Sequence, residues 1–185
     1  MSPRDRKNTM NHTVTTVLAT LVATFVVGVG CAYAFIYSGA YDVSATTPDS
    51  SLIYWATHKV SDESIAHRLG ANVVPANLTD AAKIHSGGQI FLANCAVCHG
   101  GPGLKPTEIA QGLNPTPPDL FRATRHPDPQ ENFQFIKYGV KMTGMPAFAT
   151  THSDDQIWNI VAFLNTLPGI TAADFATKTG AASGG

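Results

Sequence analysis

The chain has 185 residues, 44% of them hydrophobic, and a formal net charge of −1. That length supports one domain with accessories. Three of its twelve basic residues and one of its thirteen acidic ones lie in the first 41 positions, leaving −3 for the remainder. Nucleic-acid binding is excluded as the expectation, because it needs a clustered basic face.

Residues 1–13 form a short basic leader with Arg4, Arg6 and Lys7, and from Val14 to Tyr37 there are 24 residues without a charge. As a helix that stretch spans about 36 Å, against a bilayer core of roughly 30 Å. The expectation is an N-terminal transmembrane anchor over 14–37, with the basic side cytoplasmic and the rest exported. Two rivals share the stretch. Ala32-Tyr33-Ala34 is a tripeptide that a signal peptidase accepts, and Cys31 after Gly30 hints at lipidation. The run outlasts a normal signal core and continues through Phe35 and Ile36, which favours the anchor. Gly28, Gly30 and Cys31 also offer a close-packing patch for a second membrane helix.

Residues 38–78 read as a spacer and accessory helical segment. The stretch 42–50 is turn-rich, and Ser50 to Leu69 is moderately amphipathic through Leu52, Trp55, Ala56 and Val60, with a break permitted at 61–63. Tyr54 and Trp55 suit either a membrane interface or packing against the next domain, packing being preferred. His58 and His67 are ligand-capable, but a solvated role is preferred for both.

A folded domain is expected over 79–168. Thr79 or Asp80 caps a helix Ala81–Ala96 with Ile84, Ile90, Phe91 and Val97 inward. Gly87 and Gly88 are poor helix formers, and close approach of a second helix is the physical reason to keep them. Then comes Cys95-Ala96-Val97-Cys98-His99, the C-x-x-C-H attachment signature of a c-type haem. Two thiols on one helical turn reach one porphyrin edge, and the next histidine turns toward the iron. A thioredoxin-like pair, half a zinc site and chance structural thiols are the alternatives. The first lacks a βαβ setting, and the second lacks another cysteine pair.

The glycine- and proline-rich stretch after His99 is longer than a compact domain tolerates unless it wraps something. A short turn of helix is expected near 107–111. A helix follows over Glu131–Gly139 with Phe133, Ile136 and Val140 inward. Met142 and Met145 then lie in one loop, and Pro146 favours Met145 as the inward sulfur by restricting its predecessor's backbone. Ser153-Asp154-Asp155-Gln156 opens the last helix as a capping box, with Ile157, Ile160, Val161, Phe163 or its neighbour Leu164, and Leu167 as its buried stripe. Residues 169–185 read as a flexible tail.

Over residues 80–168 the arrangement resembles the class I cytochrome c domain. The resemblance rests on G-G-Q-I-F before C-A-V-C-H, then P-P-D-L, G-M-P-A-F and a last helix containing A-F-L. It implies an all-α fold, preceded here by the transmembrane helix and the extra segment. It implies one covalent haem c, with Cys95 and Cys98 in thioether bonds, His99 as proximal ligand and Met145 as distal ligand. Pro118 would lend its carbonyl to the His99 ring, Gly87 would permit the helix crossing, and Phe91 would meet Phe163.

The expected function is electron transfer without a small-molecule substrate, as a membrane-tethered carrier or a subunit of a periplasmic redox complex. Its partners would be a quinol-oxidising complex, a terminal oxidase or reductase, or a dehydrogenase, at a bacterial inner membrane. The competing classes are a haem enzyme, with His85 or His126 above the iron, and a haem sensor or structural subunit.

Overall fold

A computed structural model describes residues 3–70, 73–122 and 128–181, with the backbone alone over 3–9. The described residues are helical and contain no strand. The chain divides into two compact units, residues 1–47 and 48–185.

The first unit is one long helix, α1 (Pro3–Ser38), with a short turn after it. Its segment Met10–Ser38 is 29 residues long and includes an 18-residue stretch with a mean hydropathy of 2.1, none of it buried. By length and composition it is able to cross a membrane. The turn after it is tied by Asp42, whose carboxylate accepts from the Ser44 backbone N–H at 2.8 Å and the Thr47 hydroxyl at 2.6 Å. The Thr47 bond, helped by Ser44, holds that carboxyl below its ordinary pKa.

In the second unit, α2 (Ser51–Ala66) runs unbroken through 61–63 and is capped by Ser50. Its Ile65 is buried, and the Gln134 amide donates to the Arg68 carbonyl just past its end at 3.2 Å. Trp55 and Tyr54 do not pack on the domain as preferred from the sequence: they are 63% and 55% exposed. The inward face of α2 is instead supplied by small and aliphatic side chains such as Ala56, Ser61 and Ile65.

The core is built on two helices, α3 (Ala81–Asn94) and α7 (Asp154–Leu164). The N-cap of α3 is Asp80, which accepts from the Ala82 N–H at 2.8 Å. The two helices touch backbone to backbone at Gly87. A Cβ there would lie 1.8 Å from the Asn159 carbonyl oxygen, so only glycine admits this crossing. Phe91 and Phe163 meet beside it with ring centroids 5.3 Å apart. The capping box of α7 is complete: the Ser153 hydroxyl accepts from the Gln156 N–H, and the Gln156 side chain accepts from the Ser153 N–H. Ile157, Ile160, Val161, Phe163 and Leu167 are all buried. Trp158, which the periodicity did not single out, is buried too and stacks on Phe133 at 4.2 Å.

Between these helices lie α4 (Ala96–His99), α5 (Glu108–Gln111) and α6 (Pro129–Tyr138), then a 3-10 turn over Phe148–Thr150. Asp128 caps α6 by accepting from the Glu131 N–H. Phe133 and Ile136 face inward as expected, whereas Val97 is 39% exposed and leaves the α3 stripe. The helix stops at Asn94, and α4 starts at Ala96, after the interruption at Cys95.

The expected flexible tail over 169–185 is corrected for its described part. Residues Ala172–Thr179 form α8, capped by Thr171 and ended by Gly180 in the left-handed region. It packs on α3, and its Phe175 is 2% exposed. One large aromatic in a weakly apolar stretch is enough to order eight residues when a core stands ready to receive it.

Candidate haem site

The attachment motif occupies a single turn. Cys95 N–H donates to Phe91 O, while Cys98 N–H and His99 N–H both donate to Cys95 O at 3.1 and 2.9 Å. Cys95 and Cys98 are both half-buried, both free thiols, and three residues apart on that turn. Burial, with a smaller contribution from Cys98, pushes the Cys95 thiol up to about 12. A dithiol redox pair requires the reverse shift, a stabilised thiolate. Among the described residues no group of three or more His, Cys, Asp or Glu side chains is placed to hold a metal ion, so a zinc site lacks its other half.

The ring of His99 is oriented by the backbone across the long loop. Its Nδ1 lies 3.3 Å from the Pro118 carbonyl oxygen, which fixes Nδ1 as the protonated nitrogen and leaves the lone pair on Nε2. Two residues beyond Pro118, Leu120 enters the core at 7% exposure and anchors that segment. A further tie runs from the Thr107 hydroxyl to the Val97 carbonyl, joining the start of α5 to the motif.

The methionine loop is built by glycine and threonine. Gly139, with φ +61°, ends α6, and a Cβ on it would strike the backbone of Met145, Pro146 and Ala147 at 2.6–2.7 Å. Val140 N–H donates to Met145 O at 3.1 Å. The Thr143 hydroxyl donates to Val140 O at 2.8 Å and accepts from Met145 N–H at 3.1 Å. Gly144 presses on Leu113, whose Cδ2 lies 2.8 Å from where its Cβ would be. The loop therefore has a definite inside and outside. Met145 is half-buried and packs on the core cluster, as does Cys95, while Met142 is 96% exposed.

Of the remaining histidines, His85 is exposed, with Nδ1 3.1 Å from the Lys178 carbonyl of α8. His58 and His67 are exposed on and just beyond α2. His126 lies outside the described residues.

The donor set fits a covalently bound haem. Two thiols share one turn, a tautomer-locked imidazole follows them, and a thioether is turned toward the same core. An all-α fold with this motif between two crossing helices defines a c-type cytochrome domain. The family described as cytochrome C oxidase, cbb3-type, subunit III, matches residues 82–164. That segment is a monohaem c-type cytochrome domain, and it carries one covalently bound haem c. Compared with curated proteins and with solved structures, the chain gives no match.

Proposed function

We propose that the chain is a membrane-tethered electron-transfer protein in which His99 and Met145 would hold the haem iron. The observation that carries this reading is the methionine loop, which turns one thioether to the core and the other to solvent. With His99 and Met145 both holding the iron, no position would be left for a substrate, and the chain would act as a carrier or a non-catalytic subunit. The haem supplies a one-electron change between ferrous and ferric iron.

The chain's own residues set the conditions for that change. Cys95 and Cys98 hold the group by thioether bonds. Pro118 O orients the His99 imidazole and raises its basicity. The thioether of Met145 favours the ferrous state and raises the potential, and the buried residues around it exclude water. His85, engaged with the α8 backbone, gives the haem-enzyme reading no support.

In this proposal α1 anchors the protein in a bacterial inner membrane, with Arg4, Arg6 and Lys7 on the cytoplasmic side and the haem domain in the periplasm. The tether restricts partners to redox complexes of the same membrane: a quinol-oxidising complex on one side, and an oxidase, reductase or dehydrogenase on the other. Redox difference spectra of washed membranes test it. A haem c α-band in the pellet supports it. A band that leaves with the soluble fraction refutes the tether, and rapid carbon monoxide binding by the reduced protein refutes the ligation.

A further inference from the structure

The haem-domain helices α3 and α7 leave unexplained why the chain continues into α8. That helix is fastened at both ends. Just before it, Gly169 N–H donates to Phe121 O at 3.0 Å. Near its end, the Lys178 carbonyl sits 3.1 Å from His85 Nδ1 and 2.5 Å from where a Gly88 Cβ would be. Between these fastenings Phe175 reaches inward. Its Cζ and Cε1 lie 2.8 and 3.0 Å from the ideal Cβ of Gly101, so the ring rests on the backbone two residues past His99. The same ring meets Phe121 edge-on at 5.9 Å, three residues past Pro118.

One buried ring thus stands between the segment carrying the His99 imidazole and the segment carrying its carbonyl acceptor. The contact between them, at 3.3 Å, lies just beyond the usual N–H···O range, where a few tenths of an ångström decide its strength. We propose that Phe175 is a positioning residue for the His99–Pro118 hydrogen bond, and that α8 is the device that holds it there. A purely sealing role would make the ring replaceable by any apolar group of adequate size. A positioning role makes the imidazole respond when the ring changes. The inference rests on the haem reading above and adds to it a determinant of the potential outside residues 82–164.

The test uses the full chain in detergent with its haem, labelled with 15N at histidine. The readouts are solvent exchange of the His99 Nδ1 proton in the ferrous protein and the midpoint potential. Phe175→Ala is expected to speed that exchange by roughly tenfold or more and to move the potential, while the Met145 sulfur band persists. Phe175→Leu should fall between it and wild type, and keeps the test open if the alanine variant does not accumulate. Ser153→Ala, which weakens α7 without touching this corner, should leave both readouts at the wild-type value. Gly101→Ala should disturb the bond by crowding the ring, and combining it with Phe175→Leu should give less than the sum of the two effects. Unchanged exchange and potential in both Phe175 variants, or strict additivity with Gly101→Ala, would overturn the proposal. Absence of covalent haem in the wild-type chain would overturn the haem reading itself, and with it this inference. Haem present with unchanged exchange overturns the inference alone.

Discussion

Replacing Gly87 is the sharpest perturbation of the fold. An alanine Cβ would sit 1.8 Å from the Asn159 oxygen, 2.4 Å from the Asn159 carbonyl carbon and 2.9 Å from the Ile160 nitrogen. All three are backbone atoms, so no rotamer change relieves the clash. Ordinary contact needs roughly 3.4 Å, which asks α3 and α7 to part by about 1.5 Å. That separation loosens the Phe91–Phe163 contact and every buried residue along α7. Overpacking of this kind costs about 1–3 kcal/mol. The better helix propensity of alanine returns about 1 kcal/mol at most. A 1.8 Å approach to backbone belongs at the upper end of that range, so Gly87→Ala should destabilise by about 2 kcal/mol net, and Gly87→Val by more, since its branches add bulk with less propensity gain. Guanidinium melts of the detergent-solubilised holoprotein, followed by the haem band, measure this. Gly112→Ala is the control, because the nearest atoms there lie at 3.6 Å or beyond. A neutral or stabilised Gly87→Ala protein would refute the backbone contact.

Three further outcomes are expected. Met145→Ala should abolish the weak sulfur charge-transfer absorption of the ferric protein, lower the midpoint potential and admit carbon monoxide; Met142→Ala should leave the spectrum unchanged, and the reverse pattern would reassign the ligand. Acid–acetone treatment should leave the colour on the polypeptide, because two thioether bonds hold it; colour in the organic phase would contradict attachment at Cys95 and Cys98. Ser153→Ala should cost about 1 kcal/mol through loss of the α7 cap, read in the same melts, and a value indistinguishable from zero would mean that the box contributes nothing at this end.

The parts of the fold legible in the sequence are those where chemistry leaves few choices. Covalent attachment demands C-x-x-C-H, and a backbone-to-backbone crossing demands glycine, so the motif and Gly87 could both be read directly. The α7 cap was legible because both halves of its reciprocal hydrogen bond lie within four residues. What escaped was α8. Its residues are mostly Ala, Thr and Lys, with low apolar content, and the one strong term is the fit of Phe175 into a core assembled from Phe91, Phe121 and Phe163. That term is tertiary and leaves no periodicity. Local signals were nonetheless present in Thr171 with Asp174 at its start and Gly180 at its end. Trp55 misled for the opposite reason. Its size predicted burial, but the domain side of α2 was already filled by smaller side chains, so the indole faces outward. Val97 failed because the helix ends before it, and the 100° periodicity no longer applies across Cys95.

The two-sided methionine loop also divides the two sulfurs by their chemistry toward oxidants. Sulfoxide formation follows access, and Met142 is 96% exposed whereas Met145 is half-buried against the core. Peroxide reaching the haem domain from solvent therefore meets Met142 first. Its sulfoxide would be tolerated in open solvent and is reversible by reductases, while conversion of Met145 would place a polar group against the core cluster. The exposed thioether therefore lets oxidation fall three residues away from Met145 without reaching the core against which that residue packs.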